Sequence, residues 1–254
     1  MLRFASLGSG SKGNGTLIES GKTRILLDCG FTLGETERRL HRLGCPPQSL
    51  TAILVTHEHG DHASGVGRLS RRYNLPVWLT VGTYLAMRDT KFAQTHYINV
   101  HQALVINDLH VTPFPVPHDA REPCQFVFSN GARRLGILTD TGSYTPLIVQ
   151  MLQRLDGLML ECNYDAQMLA DGPYPPSLKL RVAGRYGHFD NRQSSELLRQ
   201  LDLSNLQHLV GMHLSENNNQ PAYAYQALCA GLDCEKNWIQ LADQQDGISW
   251  RELC

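Results

Sequence analysis

Short apolar runs alternate with longer amphipathic ones along the 254 residues of the chain. Residues 3–7 (RFASL) and 16–20 (TLIES) read as strands on either side of a Gly/Ser loop, and 23–30 (TRILLDCG) as a buried strand that ends at Asp28. Residues 32–44 predict a helix. Thr32 and Glu35 have capping-box spacing, Leu33, Leu40 and Leu43 share a face, and Gly44 and then Pro46 stop it. A strand at 51–56 (TAILVT) and a helix at 63–73 follow. Residues 126–140 predict a hairpin around Asn130-Gly131, a dipeptide suited to the tight mirror-image turn. Thr145 and Pro146 start a helix that reaches about Leu155. Further strands are expected at 157–162, 208–214 and 238–242, with helices near 191–201 and 220–231. This alternation predicts an α/β fold without solenoid repeats, over a length that allows one large core or two modest ones.

Several of these apolar strands end in a residue able to ligate a metal: Asp28, His57, Asp140 and His213. In α/β proteins, sites gather where strands stop, because the loops there converge. The densest chemistry lies at 57–62, HEHGDH. An extended entry would put His57 and His59 on one side, able to grip one cation, since strand side chains alternate with period two. Gly60 is expected to permit a sharp bend that turns Asp61 and His62 toward a second cation. Three imidazoles and a carboxylate at this spacing suit zinc, manganese or iron, and burying them unpaired would be costly. His118 follows three prolines in PFPVPHD, which stiffen its loop.

Composition narrows the picture. Hydrophobic residues make up 42% of the chain and charged residues 19%, as in ordinary globular domains. No apolar run is long enough for a membrane helix, and the first residues lack the apolar core of a secretory signal, so a cytoplasmic protein is expected. The seven cysteines are scattered, with no Cys-x-x-Cys pair. They read as small buried hydrophobes, with neither a disulfide framework nor a zinc ribbon. A net charge of −1 does not announce a nucleic-acid binder. Locally, however, Lys179, Arg181 and Arg185 precede His188 and offer contacts for phosphates. The loop GSGSKGNG (8–15) reads equally well as a phosphate cradle with Lys12 or as a flexible strand connection.

The order Asp28, HEHGDH, His118, Asp140, His213 resembles the signature of the metallo-β-lactamase fold superfamily. SLGSGSKGNGTLIE, GHFDN and HLSENNN are most similar to its YycJ/WalJ (VicX) group, which is associated with DNA exonuclease activity. The resemblance implies a four-layer αβ/βα sandwich over a single domain, 1–254, with two divalent metal ions, zinc or manganese, or iron. His57, His59 and His118 would hold one ion, Asp61, His62 and His213 the other, with Asp140 between them. Asp28 would brace the ligand loop through hydrogen bonds, and Glu58 would face solvent. Asp61 and His188 would be catalytic, His188 as a proton donor that ligates no metal. Asn191 would cap the helix after it, and Glu161 and Asn163 would have supporting roles.

With two ions, Asp61, Asp140 and a hydroxide between the metals, the site carries about one positive charge, which suits a phosphodiester. The group resemblance implies 5′ to 3′ exonuclease action on DNA, with DNA ahead of RNA as the nucleic-acid partner. A thioester, lactone or cyclic-phosphodiester hydrolase is the runner-up, and a non-catalytic metal protein in regulation is a third reading. An RNA-processing relative with a large inserted domain is disfavoured, because the span from Asp140 to His213 leaves no room for one.

Overall fold

In a computed structural model, residues 1–233 and 238–254 are described. Cys234, one of the seven cysteines, lies outside the described residues. The strands in chain order are β1 Leu2–Gly8, β2 Gly15–Ser20, β3 Thr23–Leu27, β4 Ala52–Leu54, β5 Pro76–Leu79, β6 Gln94–Tyr97, β7 Leu104–Ile106, β8 Leu109–Pro115, β9 Cys124–Ser129, β10 Arg134–Leu138, β11 Gly157–Glu161, β12 His208–Met212, β13 Gln240–Leu241 and β14 Ile248–Leu253. They form two seven-stranded sheets, ordered β14-β1-β2-β3-β4-β5-β6 and β13-β12-β11-β10-β9-β8-β7. Both sheets follow one plan. An antiparallel half (β14/β1/β2/β3, β7/β8/β9/β10) runs into a parallel half (β3 to β6, β10 to β13).

The period-two pattern explains the layering. Along β1, Leu2 and Phe4 face the second sheet, while Ala5 and Leu7 face outward toward helices. The inner layer joins Ile18, Ile25, Leu27 and Leu54 of the first sheet to Val111, Phe126, Phe128, Ile137, Met159 and Val210 of the second. On the outer face of the first sheet, Leu40 of α1 (Leu33–Arg42), α2 (Gly60–Ala63), and Val66 and Leu69 of α3 (Val66–Tyr73) cover Leu17, Leu26 and Ile53. The short α4 is Val81–Ala86. On the second sheet, α5 (Pro146–Met151) brings Ile148 to Leu158 and Leu160, followed in the chain by α6 (Ala166–Asp171) and α7 (Pro176–Val182). Leu197 and Leu198 of α8 (Asn191–Leu198) and Leu228 of α9 (Pro221–Leu232) complete that layer. The result is the expected αβ/βα sandwich. No helix among the described residues is long and apolar enough to cross a membrane.

Local outcomes refine the sequence reading. Thr32 caps α1, its hydroxyl accepting from Glu35 N. The helix expected at 63–73 is two pieces, because Gly65 N bonds to Cys29 O and a Cβ at Gly65 would stand 2.1 Å from Phe31 O. The β9–β10 hairpin forms, but Ser129 pairs with Arg134, so its loop has four residues rather than a two-residue turn. Asn130 Oδ1 accepts from the backbone N–H of Ala132 and Arg133, and that closes the wider loop. The α8 cap is Asp190, not Asn191. Asp190 and Gln193 form a reciprocal capping box, while Asn191 bonds to Asn219. Cys29, Cys45, Cys124 and Cys162 are buried, whereas Cys254 is exposed.

Candidate metal centre

The ends of β3, β4, β10, β11 and β12 converge on one rim. Asp28, Asp140 and His213 sit just past strands, with φ of 61°, 50° and 54°. The left-handed region is unfavourable for such residues and is held only where the surroundings enforce it. Each kink carries the side chain off its strand line and into the rim.

Asp28 organises the first ligand loop. Its carboxylate accepts from Thr56 N (2.8 Å), Thr56 Oγ1 (2.8 Å) and His62 Nδ1 (2.8 Å). Since the Thr56 hydroxyl donates to Asp28, it accepts from His57 Nδ1 at 2.9 Å. That fixes the His57 tautomer and leaves the Nε2 lone pair facing the site. His118 is set in the same way, with Nδ1 donating to Gly187 O at 3.0 Å and Nε2 lying 3.2 Å from His59 Nδ1. Asp61 and His62 lie on the single turn of α2, which begins at Gly60. Gly60 itself is not required for this bend. Its φ is not positive, and a Cβ there would meet nothing within 4 Å. The turn of helix, rather than the glycine, redirects the chain.

Four groups of side chains bring ligand atoms within 4.8 Å of one another: His57/His59/His118, His57/His62/Asp140, Asp61/His62/His213 and Asp140/Glu161/His188/His213. Asp140 links the sets, with Oδ2 at 3.0 Å from His62 Nε2 and Oδ1 at 3.1 Å from His213 Nδ1. His57 Nε2 and His213 Nε2 are buried without a hydrogen-bond partner, although Asp61 Oδ2 lies 3.4 Å from the latter. Orphaned buried imidazole nitrogens each cost about 1–3 kcal/mol, and a cation on their lone pairs relieves that cost.

The electrostatics agree. Burial opposes charge on His62 and His213, but Asp140 and Asp61 outweigh it and hold both imidazoles well above their ordinary range. Burial likewise resists the charged forms of Asp61 and Asp140, yet His62 and His213 keep both carboxyls below the usual range. Burial, reinforced by neighbouring histidines, keeps His57 neutral, and burial dominates at His118 also. The ionised Asp61 and Asp140 and the neutral His57 and His118 are in the states that bind divalent ions, and the carboxylates that hold protons on His62 and His213 would hold a cation in their place, so this donor set fits divalent ions.

Glu161, expected to have only a supporting role, is fully buried at the end of β11 and lies at the centre of the site. Its Oε2 accepts from Thr141 N (2.9 Å) and Phe189 N (3.3 Å), and its Oε1 lies 2.7 Å from His188 Nδ1 and 3.4 Å from His213 Nδ1. Burial works against charge on His188, but Glu161 prevails and raises its pKa. Asn163 donates to His213 O at 2.9 Å.

A cavity of about 350 Å³ opens onto Asp61, Asp140, His188 and His213, with Ser11, Tyr174 and Arg181 on its walls. Of the four cations expected to meet phosphates, only Arg181 lines it, paired to Asp119 at 2.5 Å. Lys12 pairs with Glu216, Lys179 donates to Ala170 O, and Arg185 is exposed away from the cavity. The 8–15 loop is neither a phosphate cradle nor a slack connection. The N–H groups of Ser9, Gly10, Lys12, Gly13 and Asn14 all bond within the protein. Glu58 is half-buried rather than solvent-facing, with Oε1 accepting from Arg121 N at 2.8 Å.

The profile of the beta-lactamase superfamily domain matches residues 23–214. The chain belongs to the beta-lactamase superfamily. It is 31% identical to the exodeoxyribonuclease WalJ of Streptococcus pneumoniae serotype 2 over 98% of this chain and 92% of that protein. It is also 31% identical to the exodeoxyribonuclease YycJ of Bacillus anthracis, over 91% of this chain and 89% of that one. The metallo-beta-lactamase fold protein YhfI from Bacillus subtilis superposes with a TM-score of 0.76 at 16% identity, covering 99% of this chain and all of that one. The superfamily fold implies divalent metal ions, and the donor set at this rim fits them.

Proposed function

We propose that the chain is a metal-dependent DNA exonuclease with a two-ion site. The observation that carries this reading is the gathering of six ligand-type residues around a seventh, Asp140, beside a His188–Glu161 pair, in a chain similar along nearly its whole length to exodeoxyribonucleases. His57, His59 and His118 would hold one ion, Asp61, His62 and His213 the other, and Asp140 would serve both. Zinc and manganese suit these donors best, and iron is compatible. When bound, such ions supply Lewis acidity toward phosphoryl oxygens and lower the pKa of water.

The chain's own residues do the rest. Asp28 and Thr56 keep the imidazoles of His62 and His57 in the required tautomers. Arg181, on the cavity wall, offers a phosphate a partner in exchange for Asp119. Glu161 holds His188 by Nδ1, and among the described residues Nε2 has no protein partner. As a water oxygen bonds to phosphorus and the P–O bond to the departing 3′ or 5′ oxygen breaks, Nε2 on the cavity wall donates its proton to that oxygen, Glu161 having balanced the imidazolium charge until then. That assigns His188 to acid catalysis and Asp61 to the metal site. A preference for DNA follows the exodeoxyribonuclease relatives, and a 5′ to 3′ polarity is part of the proposal.

The test is hydrolysis of end-labelled duplex DNA, single-stranded DNA and RNA by manganese-loaded protein, compared with Asp140→Ala. Stepwise release of nucleotides from DNA is expected, with loss of activity and of bound metal in the variant. Full activity in Asp140→Ala would overturn the site.

A further inference from the structure

The loop of residues 8–14 leaves the first sheet, yet it reaches ligand loops of both sheets. Asn14 is buried at its end. Its Oδ1 accepts from Gly10 N (2.9 Å) and Ser9 Oγ (3.2 Å), so its Nδ2 is the donor. Nδ2 lies 3.1 Å from Gly10 O, 3.1 Å from His62 Nε2, and 3.3 Å from both Asp61 O and Asp61 Oδ2. The Asn14 backbone is tied to the same loop, since its N–H donates to Asp61 O at 2.7 Å. Ser9 extends the chain of bonds. Having donated to Asn14, its hydroxyl accepts from His213 N at 2.9 Å. His213 holds a positive φ of 54°, a conformation that needs such an outside tie.

Asp61, His62 and His213 thus all touch this one loop. His57, His59 and His118 do not: Thr56 and Gly187 hold the outer nitrogens of His57 and His118, and the outer nitrogen of His59 lies 3.9 Å from Asp119. The loop is itself immobilised. Ser9 N donates to Asp243 O (3.0 Å), Lys12 N to Gln244 Oε1 (2.8 Å), and Gln244 Nε2 to Gly13 O (2.8 Å).

We propose that Ser9 and Asn14 are positioning residues for one ion only, that of Asp61, His62 and His213. This rests on the two-ion reading above. The two residues fix the spacing between ligands supplied by different sheets. Without them, the carboxylate of Asp61 and the backbone of His213 are free to drift. The first ion, held by residues braced elsewhere, is unaffected.

The experiment is equilibrium dialysis of wild-type, Asn14→Ala and Ser9→Ala protein against buffered free zinc. Circular dichroism reports the fold, and the melting of chelated protein reports intrinsic stability. The wild type should take up two ions per chain. Each variant should keep one at wild-type affinity and bind the other about 10- to 100-fold more weakly, the usual effect of losing an outer hydrogen-bonding partner. Ser9→Ala removes a single hydroxyl, so it carries the test if Asn14→Ala does not fold. Unchanged affinity for both ions, or equal weakening of both, overturns the proposal. A wild type that saturates at one ion defeats the two-ion reading and this inference with it.

Discussion

His188 and Glu161 form the most consequential pair at the residue scale. A surface histidine would be expendable, but this one is 2.7 Å from a fully buried carboxylate and sits on the cavity wall. Its replacement by alanine is expected to leave metal content unchanged and to reduce kcat about 10²-fold or more, as loss of acid catalysis does. Metal analysis beside single-turnover kinetics checks this, and loss of an ion in the variant would instead make His188 a ligand. Arg181 and Lys179 are neighbours in sequence with different surroundings. Arg181→Ala should lower the slope of log affinity for DNA against log salt by about one unit, and Lys179→Ala should leave it unchanged. Fluorescence titrations at several salt concentrations separate the two, and equal effects would place the substrate along the whole basic segment.

At the scale of elements, α1 shows how helix ends anchor the site's surroundings. Glu35, in the first turn of α1, pairs with Arg38 (2.6 Å) and Arg39 (2.5 Å), and Arg39 in turn donates to Leu7 O at 2.7 Å. Arg38 and then Arg39, against the opposing effect of burial, pull the Glu35 carboxyl down to about 2. Its folded pKa lies below its unfolded value. The stabilisation is therefore complete above about pH 4.5 and is lost as pH falls toward 2. Because the pair is partly exposed, solvent screening limits its contribution to at most about 1 kcal/mol. Glu35→Gln should melt at a lower temperature than wild type at pH 7, and the gap should close by about pH 2. A gap independent of pH would mean that packing, not charge, is lost.

For the whole molecule, the ligand-type residues come from both sheets. His57, His59, Asp61 and His62 follow β4 of the first sheet, while His118, Asp140 and His213 follow β8, β10 and β12 of the second. Bound ions would tie the two sheets together at the open end of the sandwich. At a thousandfold excess over Kd, one ion stabilises a fold by about 4 kcal/mol. With about 2–4 °C per kcal/mol for a chain of this size, chelation should lower Tm by roughly 10 °C. Calorimetry with and without chelator measures it, and an unchanged Tm would show that the site contributes nothing to holding the sheets.

The α/β alternation and the location of the chemistry were legible in the chain itself, whereas the four-layer order came with the family resemblance. Period-two apolar strands separated by amphipathic helices dictate sheets covered by helices, and His57 to His62 cluster in sequence because one loop supplies them. Local chemistry sufficed there: Thr32 caps its helix as its spacing predicts. Other features depended on partners distant in sequence. Glu161 looks like an ordinary strand end until His188 and His213 arrive 27 and 52 residues later. The Gly/Ser loop looks flexible until Asp243 and Gln244, more than two hundred residues away, bind its N–H groups. The basic segment looks like one surface until Asp119 and Ala170 O engage two of its cations. Propensity and periodicity act over a few residues, so they decide elements. Hydrogen bonds and charges act through space, so only the packed sheets decide which polar group each one meets.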